Sequence, residues 1–338
     1  MKKTIISLAV AAAAVATGAN AAEVYNADGT SVALGGRVEA RLQLQDGEAN
    51  DKTRARFNFV GKQQVNENLY GLAKFETEWS STDSDGEPDG DSNGDSLTNR
   101  YIFAGIGTNA GEITYGKQDG ALVKLTNFTD IMSTWGKEAS VNSAATNSDY
   151  YVALANRTDN YVAYNAQFDT LGVSAGYRFA DGSNSSDGDS KVNNDQDGYA
   201  LALTYGFGDT GVVVGAGYAD QNSNDQTILT TSFTYEDLYL AALYTHIDYD
   251  ASSVDNYDGY EFAAAYTIDK TKLIATYNDG DWNDEGDTAQ TLSVEANYFF
   301  TPSFTGYVGY RWNLLDGDDV TNNVDAQDQA MAGLLYTF

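Results

Sequence analysis

The chain has 338 residues, no cysteine and one histidine, and its 49 acidic residues outnumber its 19 basic ones to give a formal net charge of −30. The lack of cysteine excludes disulfide staples, thiolate catalysis and Cys-ligated zinc, and the negative charge argues against nucleic acid as a partner because its phosphates would be repelled. With 24 Tyr, 14 Phe and 4 Trp, the chain is too aromatic for an acidic disordered protein.

Residues 1–21 have the pattern of a secretory signal peptide. A positively charged start precedes an apolar run over residues 5–15, and Ala19-Asn20-Ala21 forms a small-x-small cleavage site. The apolar run is too short to span a membrane, and no later window approaches about eighteen consecutive apolar residues. The sequence therefore predicts an exported protein whose mature part, residues 22–338, has no helical membrane span.

The first strand, over residues 32–45, sets a pattern that the rest of the chain repeats. Apolar residues such as Val38 and Leu42 alternate there with polar ones such as Arg37 and Glu39, a period of two that gives the strand one apolar and one polar face. Further segments of this kind bring the predicted number of strands to sixteen. They cover residues 53–61, 69–79, 100–106, 112–117, 157–168, 171–179, 198–205, 211–218, 227–235, 238–247, 259–267, 272–277, 290–299, 304–312 and 329–338.

The connections between these strands alternate in length. Short ones are predicted near residues 62–68, 107–111, 169–170, 206–210, 236–237, 269–270 and 301–303, and long ones near 46–52, 80–99, 118–149, 180–197, 219–226, 248–258, 278–289 and 313–328. Short turns at one end and long polar loops at the other are typical of outer-membrane barrels. We therefore predict an all-β fold, a 16-stranded antiparallel transmembrane β-barrel.

Aromatic residues recur at strand ends on the apolar face, where we expect them to form girdles at the membrane interfaces. A ring with an apolar body and a polar tip suits that boundary. The residues are Tyr101, Tyr115, Tyr164, Tyr177, Phe179, Tyr205, Tyr218, Tyr235, Tyr266, Tyr298, Tyr310 and Tyr336.

The third long connection, residues 118–149, differs from the others. It carries apolar side chains such as Leu122, Leu125, Phe128 and Trp135. Loops of about thirty residues without their own pairing are uncommon and are usually functional or disordered, and the apolar content argues against disorder. We predict that this loop folds into the lumen of the barrel and narrows its opening.

The order and spacing of several short motifs resemble the general (non-specific) porins of the Gram-negative outer membrane, most of all the major porins of the vibrio group. These motifs lie at residues 22–30, 34–37, 54–62, 99–106, 115–117 and 157–160 and at Phe338. The resemblance implies a homotrimer in the outer membrane, in contact with lipopolysaccharide and membrane lipid, that passes small hydrophilic solutes. It also implies that Phe338 is the signal read by the barrel-assembly machinery.

Within the third loop, residues 128–132 and 135–138 resemble the constriction segment of that family. Ser133-Thr134 stands where many relatives carry Pro-Glu, and Lys137 stands where many carry Gly.

The predicted lumen face collects arginines at positions 37, 41, 54, 56, 100 and 157. The resemblance implies that Arg37, Arg56, Arg100 and Arg157 line the constriction, and we place Asp130 and Glu138 of the loop opposite them. A secondary set of lumen residues comprises Arg41, Arg54, Lys74, Glu76, Glu78 and Asp149. Facing charges of opposite sign would orient and admit small polar solutes. In a second interpretation, which can hold at the same time, the arginines pair with Glu39, Glu76 and Glu78 to hold the wall.

Other candidate sites are weak. Residues 89–94 resemble the start of an EF-hand, but the twelfth position is Arg100 instead of a bidentate Glu and the flanking segments are strands, so only weak divalent-cation binding beside lipopolysaccharide stays a hypothesis. His246 is the single histidine and is expected to be structural or on the surface. The sequence predicts no catalytic residue, no metal and no cofactor.

These observations favour a water-filled channel for passive diffusion of ions and small hydrophilic solutes. A modest cation preference is expected because acidic loops raise the concentration of cations at the mouth. Alternatives are a barrel acting mainly as an adhesin or phage receptor, a substrate-specific channel, and an outer-membrane protease or phospholipase that would need His246 as its base.

Overall fold

The computed structural model describes residues 21–80, 97–140, 152–180, 196–221, 224–249, 256–282, 286–315 and 327–338. Most of the expected signal peptide, residues 1–20, lies outside these ranges, as do residues 89–94 and Asp149. Within the described ranges, no helix has the length and apolar character needed to cross a bilayer.

The described residues form one antiparallel sheet of eighteen strands. These are β1 (Ala22–Ala27), β2 (Thr30–Gln45), β3 (Glu48–Asp51), β4 (Arg54–Asn66), β5 (Leu69–Ser80), β6 (Leu97–Thr108), β7 (Gly111–Asp119), β8 (Arg157–Phe168), β9 (Leu171–Arg178), β10 (Gly198–Gly206), β11 (Val212–Gln221), β12 (Asn224–Tyr235), β13 (Leu238–Tyr249), β14 (Tyr257–Ile268), β15 (Thr271–Trp282), β16 (Gly286–Thr301), β17 (Phe304–Asn313) and β18 (Gln329–Thr337). All except β1 and β3 pair in succession, β2 with β4 and so on, and β18 pairs back with β2. The predicted closed barrel of sixteen antiparallel strands is confirmed.

The two additional strands were not predicted. Strand β1 pairs with the first part of β2, from Ala27 opposite Thr30 to Ala22 opposite Leu34, whereas β18 pairs with the part from Arg37 onwards. Strand β1 therefore continues the line of β18, and Phe338 joins them through backbone hydrogen bonds of 2.9 and 3.1 Å with Gly36. Strand β3 folds back on the end of β2 as a short hairpin. Strand β1 is exposed throughout and has no alternation of apolar and polar residues, so its sequence does not mark it as a strand.

The two faces of the wall follow the predicted alternation. On β2, Val38 and Leu42 are 50% and 45% exposed on the outside, whereas Glu39 between them is 1% exposed on the inside. Most of the predicted girdle residues also point outward, including the exposed Tyr115, Tyr235 and Tyr336. An apolar outer belt with a polar lumen is the reverse of a soluble sheet protein, and it fits a barrel that faces lipid.

Tyr101 is a correction to the predicted girdle. The pairing of β5 with β6 shifts by one residue here, because Glu76 faces Tyr101 while the next residue, Thr77, faces Asn99. Arg100 is thus the extra residue of a β-bulge, which re-aims the side chains around it. Tyr101 consequently lies inside, almost buried, and its hydroxyl donates to Asp119 Oδ1 at 2.9 Å.

The strands are longer than the apolar pattern indicated at the end with the long connections. Residues 219–226 were predicted as a long connection, but β11 continues to Gln221 and β12 begins at Asn224. Likewise β15 continues to Trp282 and β16 begins at Gly286. These strand ends carry Asp, Asn and Gln on both faces, so no apolar alternation distinguishes them from a loop.

The third long connection turns into the barrel, as predicted. Between the end of β7 at Asp119 and the start of β8 at Arg157, the chain contains the short helix α1 (Val123–Thr126) and, just before β8, one turn of 3₁₀ helix, Ala153–Ala155. Leu122, Leu125 and Leu154 are fully buried and belong to an apolar cluster with wall residues such as Ile228. The core of the molecule is therefore the contact between this loop and one side of the lumen.

Candidate pore constriction

Residues 120–140, which we call the inner loop, contact the wall at successive strands. Tyr239 of β13 donates to the carbonyl of Phe128 at 2.7 Å. Trp135 Nε1 donates to Gln329 Oε1 of β18 at 3.0 Å, and the guanidinium of Arg41 on β2 donates to the Thr134 carbonyl. Because these three wall side chains alternate with outward residues and point into the lumen, the inner loop lies inside the barrel.

Two buried carboxylates on the wall hold the inner loop by its backbone. Glu261 of β14 accepts from the backbone N–H of Ala139 at 3.1 Å and of Ser140 at 2.7 Å, and from the hydroxyl of Thr129.

Glu295 of β16 does the same for another part of the loop. Its two oxygens accept from the backbone N–H groups of Ser133 and Thr134, both at 2.9 Å, and from the Thr134 hydroxyl at 2.6 Å. Hydrogen bonds to ionised groups are the stronger ones in proteins, on the order of 1.5–3 kcal/mol each. The loop is therefore fixed to the wall at two points.

Glycines on the lumen face give the inner loop room to lie against the wall. A Cβ atom added at Gly217 of β11 would stand 2.6 Å from side-chain atoms of both Leu122 and Leu125, and one at Gly215 would meet Leu125 at the same distance. A Cβ at Gly309 of β17 would lie 3.0 Å from the ring of Trp135. A side chain at Gly215 or Gly217 would have to move these leucine side chains, and one at Gly309 would press against the Trp135 ring.

The predicted arginines lie together on the lumen side of β2, β4 and β6. Arg54 Nε is 2.5 Å from Glu39 Oε2, and Arg37 Nη2 is 3.7 Å from the same oxygen. Glu39 is 1% exposed and also accepts from the Tyr307 hydroxyl at 2.6 Å. This carboxylate therefore holds two arginines side by side.

A second group continues the row across β4, β5 and β6. Arg100 Nε is 2.8 Å from Glu76 Oε1, and its Nη1 is 3.9 Å from Glu78 Oε1. Arg56 pairs with Glu78 across the β4–β5 register. The expectation that the arginines pair with Glu39, Glu76 and Glu78 is confirmed.

Lys74 and Arg157 extend the cationic wall around Tyr101. Lys74 Nζ lies 4.0 Å from the centre of the Tyr101 ring, and the Arg157 guanidinium lies 5.9 Å from it. Asp119, which accepts from the Tyr101 hydroxyl, faces Arg157 across the β7–β8 pair. The cationic side chains described on this wall therefore outnumber the carboxylates. The cations are Arg37, Arg41, Arg54, Arg56, Arg100, Arg157 and Lys74, and the carboxylates are Glu39, Glu76, Glu78 and Asp119.

The two acidic residues expected to face this wall have different surroundings. Glu138 is bound to the opposite side: it pairs with Arg311 of β17, accepts from Thr291 at 2.5 Å and accepts from Asn278 at 3.2 Å. Asp130 is exposed and lies 3.7 Å from Lys137 Nζ. The structure therefore brings the arginines together, but it ties Glu138 to the β15–β17 side.

Arg311, Glu261 and Glu295 were not among the predicted site residues. Each occupies a lumen-facing position in a strand whose neighbouring residues point outward, as in Tyr310-Arg311-Trp312. For Arg311 and Glu261, the available signal was a charged residue between two outward aromatics. The sequence does not reveal which inner-loop group each of these wall residues binds, because the loop and the wall are far apart along the chain.

Inside the inner loop, burial lowers the pKa of the Lys124 ammonium below its usual range. His246 lies on the outer face, where Nδ1 is 2.9 Å from Asp258 Oδ1 and the side chain is one third exposed. The prediction of a structural or surface histidine is confirmed. Among the residues that the structure describes, no group of His, Cys, Asp and Glu side chains is arranged to hold a metal ion.

Comparison with known proteins gives a consistent result. Residues 8–318 match a family model described as Gram-negative porin. Outer membrane protein U of Vibrio parahaemolyticus is 46% identical over 349 residues, and that of Vibrio cholerae is 44% identical over 359 residues. Outer membrane porin C of Salmonella typhimurium is 30% identical over 398 residues. All three alignments cover 100% of this chain and 100% of the relative.

Solved structures show the same fold. The Salmonella typhi OmpF structure in complex with daunomycin has a TM-score of 0.78 at 24% identity and covers 94% of this chain and 100% of its own. The trimer form of Vibrio cholerae OmpT has a TM-score of 0.70 at 20% identity, covering 92% of this chain and 100% of its own.

Proposed function

The chain belongs to the Gram-negative porin family and forms a diffusion channel in the outer membrane, and we propose that its water path runs between an arginine-lined wall and the inner loop, with a modest preference for cations. The family and the names of the relatives indicate a channel rather than an enzyme. The water path and the ion preference are the parts that require a test.

One observation supports the proposed path above all. The inner loop is bonded to β13, β14, β16 and β18 and reaches β2 at Arg41, whereas Arg37, Arg54, Arg56 and Arg100 project from β2, β4 and β6 and pair with wall carboxylates. These arginine side chains are 13–24% exposed although they lie inside the barrel. They therefore border water on the side that the loop leaves open. Sixteen strands enclose a bore too wide for side chains alone to fill.

The proposed constriction comprises Arg37, Arg56, Arg100, Arg157 and Asp130, with Glu138 acting through the position of the loop. Arginine keeps its charge at every relevant pH, so the wall is a permanent cationic surface. A solute with separated charges is turned by such a surface, and apolar solutes are disfavoured.

We assign the cation preference to the mouth of the channel, because the arginine-lined wall of the constriction is itself cationic and would repel cations. Residues 81–96, which connect β5 and β6, contain six acidic and no basic residues. Fixed negative charge at an entrance raises the local concentration of cations. The two effects oppose each other, so the net preference should be small.

The reversal potential across a planar bilayer tests the ion preference. Purified protein is inserted between potassium chloride solutions of unequal concentration, and the sign of the zero-current voltage gives the favoured ion. We expect the sign for cations. A clear preference for chloride would contradict the proposal.

We also propose that the protein is a homotrimer, as in the trimer form of Vibrio cholerae OmpT. Light scattering of the detergent-solubilised protein, corrected for bound detergent, measures the mass of the assembly. A mass of three chains is expected, and a mass of one chain under non-denaturing conditions would contradict the trimer.

A further inference from the structure

The inner loop has one exposed carboxylate, that of Asp130, within residues 120–140. It lies beside a lysine: Asp130 Oδ2 is 3.7 Å from Lys137 Nζ, and the two side chains are 33% and 19% exposed. Glu138 is held by Arg311, Thr291 and Asn278 instead. The negative charge that this part of the loop offers to the water path is therefore already balanced by a charge on the same loop.

The backbone around this pair fixes its geometry. Lys137 has a φ of +59°, in the left-handed region that residues with a side chain adopt rarely. A Cβ atom at Gly136 would collide with Asp130 Oδ1, so the carboxylate rests against the glycine backbone. A residue with a Cβ atom in this conformation costs about 1 kcal/mol or more and is retained only where surrounding contacts determine it. The neighbouring anchors at Glu138 and Ala139 supply such contacts.

We propose that Lys137 is a selectivity-determining residue, because it cancels the field of Asp130 at the constriction and so limits the cation preference of the channel. The inference rests on the proposed water path along the inner loop. With Lys137 in place, an ion passing the loop meets a close pair of opposite charges. Without it, the ion meets an exposed carboxylate opposite the arginine wall.

Charge-removing variants test the proposal through the reversal potential. Lys137→Gln should raise the ratio of cation to anion permeability about two- to threefold, since one uncompensated charge in a narrow cleft produces a potential of about kT. Asp130→Asn should lower the ratio, because it leaves Lys137 unpaired. The double variant Asp130→Asn/Lys137→Gln should return close to the wild type. Lys137→Gly serves as a second charge-removing variant, since glycine accepts the left-handed backbone.

Lys270→Gln is the matched control. Lys270 lies in the turn between β14 and β15, exposed, with its ammonium 3.3 Å from the Phe300 carbonyl oxygen. Its removal changes the net charge equally but outside the constriction, so the reversal potential should stay as in the wild type.

The opposite signs of the two single variants separate charge balance from a structural role. A merely structural pair would make Lys137→Gln and Asp130→Asn change the permeability ratio in the same direction, and that result would overturn the inference. A shift in Lys137→Gln no larger than that in Lys270→Gln would overturn it as well. The wild-type sign tests the proposed function, whereas the difference between variants tests the role of Lys137.

Discussion

At the scale of single residues, the lumen is defined by arginines that are close to one another. Arg56 illustrates the arrangement: it pairs with Glu78, and Arg100 lies 3.9 Å from the other oxygen of that carboxylate. Arg100 pairs more closely with Glu76, so these two arginines are balanced by two carboxylates, and the excess of positive charge belongs to the wall as a whole. The wall can repel cations while keeping its own structure.

Replacing Arg56 by Gln should therefore raise the cation permeability. We expect the permeability ratio to rise about twofold, because one unit of repulsive charge is removed at effective dielectric constants near those of protein surfaces. The reversal potential in a potassium chloride gradient measures this, with Lys270→Gln as the control. An unchanged ratio would show that ions do not pass Arg56.

Glu261 is the residue whose loss should most affect the inner loop. It is 1% exposed and accepts from Thr129, Ala139 and Ser140. In Glu261→Gln, an amide NH₂ replaces one acceptor and faces donors of the loop, at a cost of about 1–3 kcal/mol. We expect noisier single-channel current and a lower urea midpoint of unfolding.

The exposed turn residue Glu236 provides the control for that variant. Glu236→Gln makes the same chemical change without touching the inner loop, so both readouts should match the wild type. Equal behaviour of the two variants would refute the anchoring role of Glu261.

Sequence reasoning identified the arginines but not their complete surroundings. Alternation places Arg37 and Arg56 on the lumen face because the period of a strand is two. The partners of Glu138 could not be derived in this way, since Arg311 is far along the chain. Position within a strand is a local property, whereas a contact between loop and wall depends on the closed fold.

At the scale of elements, α1 packs against β11 because two lumen-facing residues of that strand are glycines. The lumen-facing Gly215 and Gly217 leave space for Leu125 and Leu122. The outward residue between them, Ala216, is exposed to lipid. One strand thus offers both a test position and a control.

Gly217→Val should displace α1 from the wall. The added side chain would overlap Leu122 and Leu125, and overpacking of this kind costs about 1–3 kcal/mol. We expect a changed single-channel conductance and a lower urea midpoint of unfolding. Ala216→Val, on the lipid face, should leave both unchanged. Wild-type conductance in Gly217→Val would show that α1 does not border the water path.

The elements that the sequence predicted best are those with one apolar face. Strand β8 was predicted with its observed bounds, Arg157–Phe168, because alternation persists to both ends. The polar ends of β11 and β15 were predicted as loops, since a strand that rises beyond the membrane need not have an apolar face. The alternation of apolar and polar residues therefore predicts the part of a strand that faces the membrane, and not the full length of the strand.

At the scale of the whole molecule, the closed hydrogen bonding of the barrel stabilises the fold in place of disulfide bonds. The chain has no cysteine, and the pairing of β18 with β2 removes the free sheet edges. The remaining global property is charge. With a formal net charge of −30, the entrance should attract cations most strongly when salt is dilute.

The cation preference should accordingly weaken as salt concentration rises. Screening lengths fall from about 10 Å at 0.1 M to about 3 Å at 1 M salt, so charges at the mouth act on passing ions only in dilute solution. Reversal potentials measured at a fixed concentration ratio and increasing mean concentration should approach zero. A cation preference that does not change with salt concentration would mean that charges inside the constriction cause it, and not charges at the mouth.

Single-channel recording tests the central claim most directly. Purified protein reconstituted in a planar bilayer should conduct without any added ligand, with a current proportional to voltage that closes in three equal steps, one for each barrel of the proposed trimer. Correctly folded barrels that insert into the bilayer and carry no current would contradict the account, because the inner loop would then seal the lumen instead of bordering a water path.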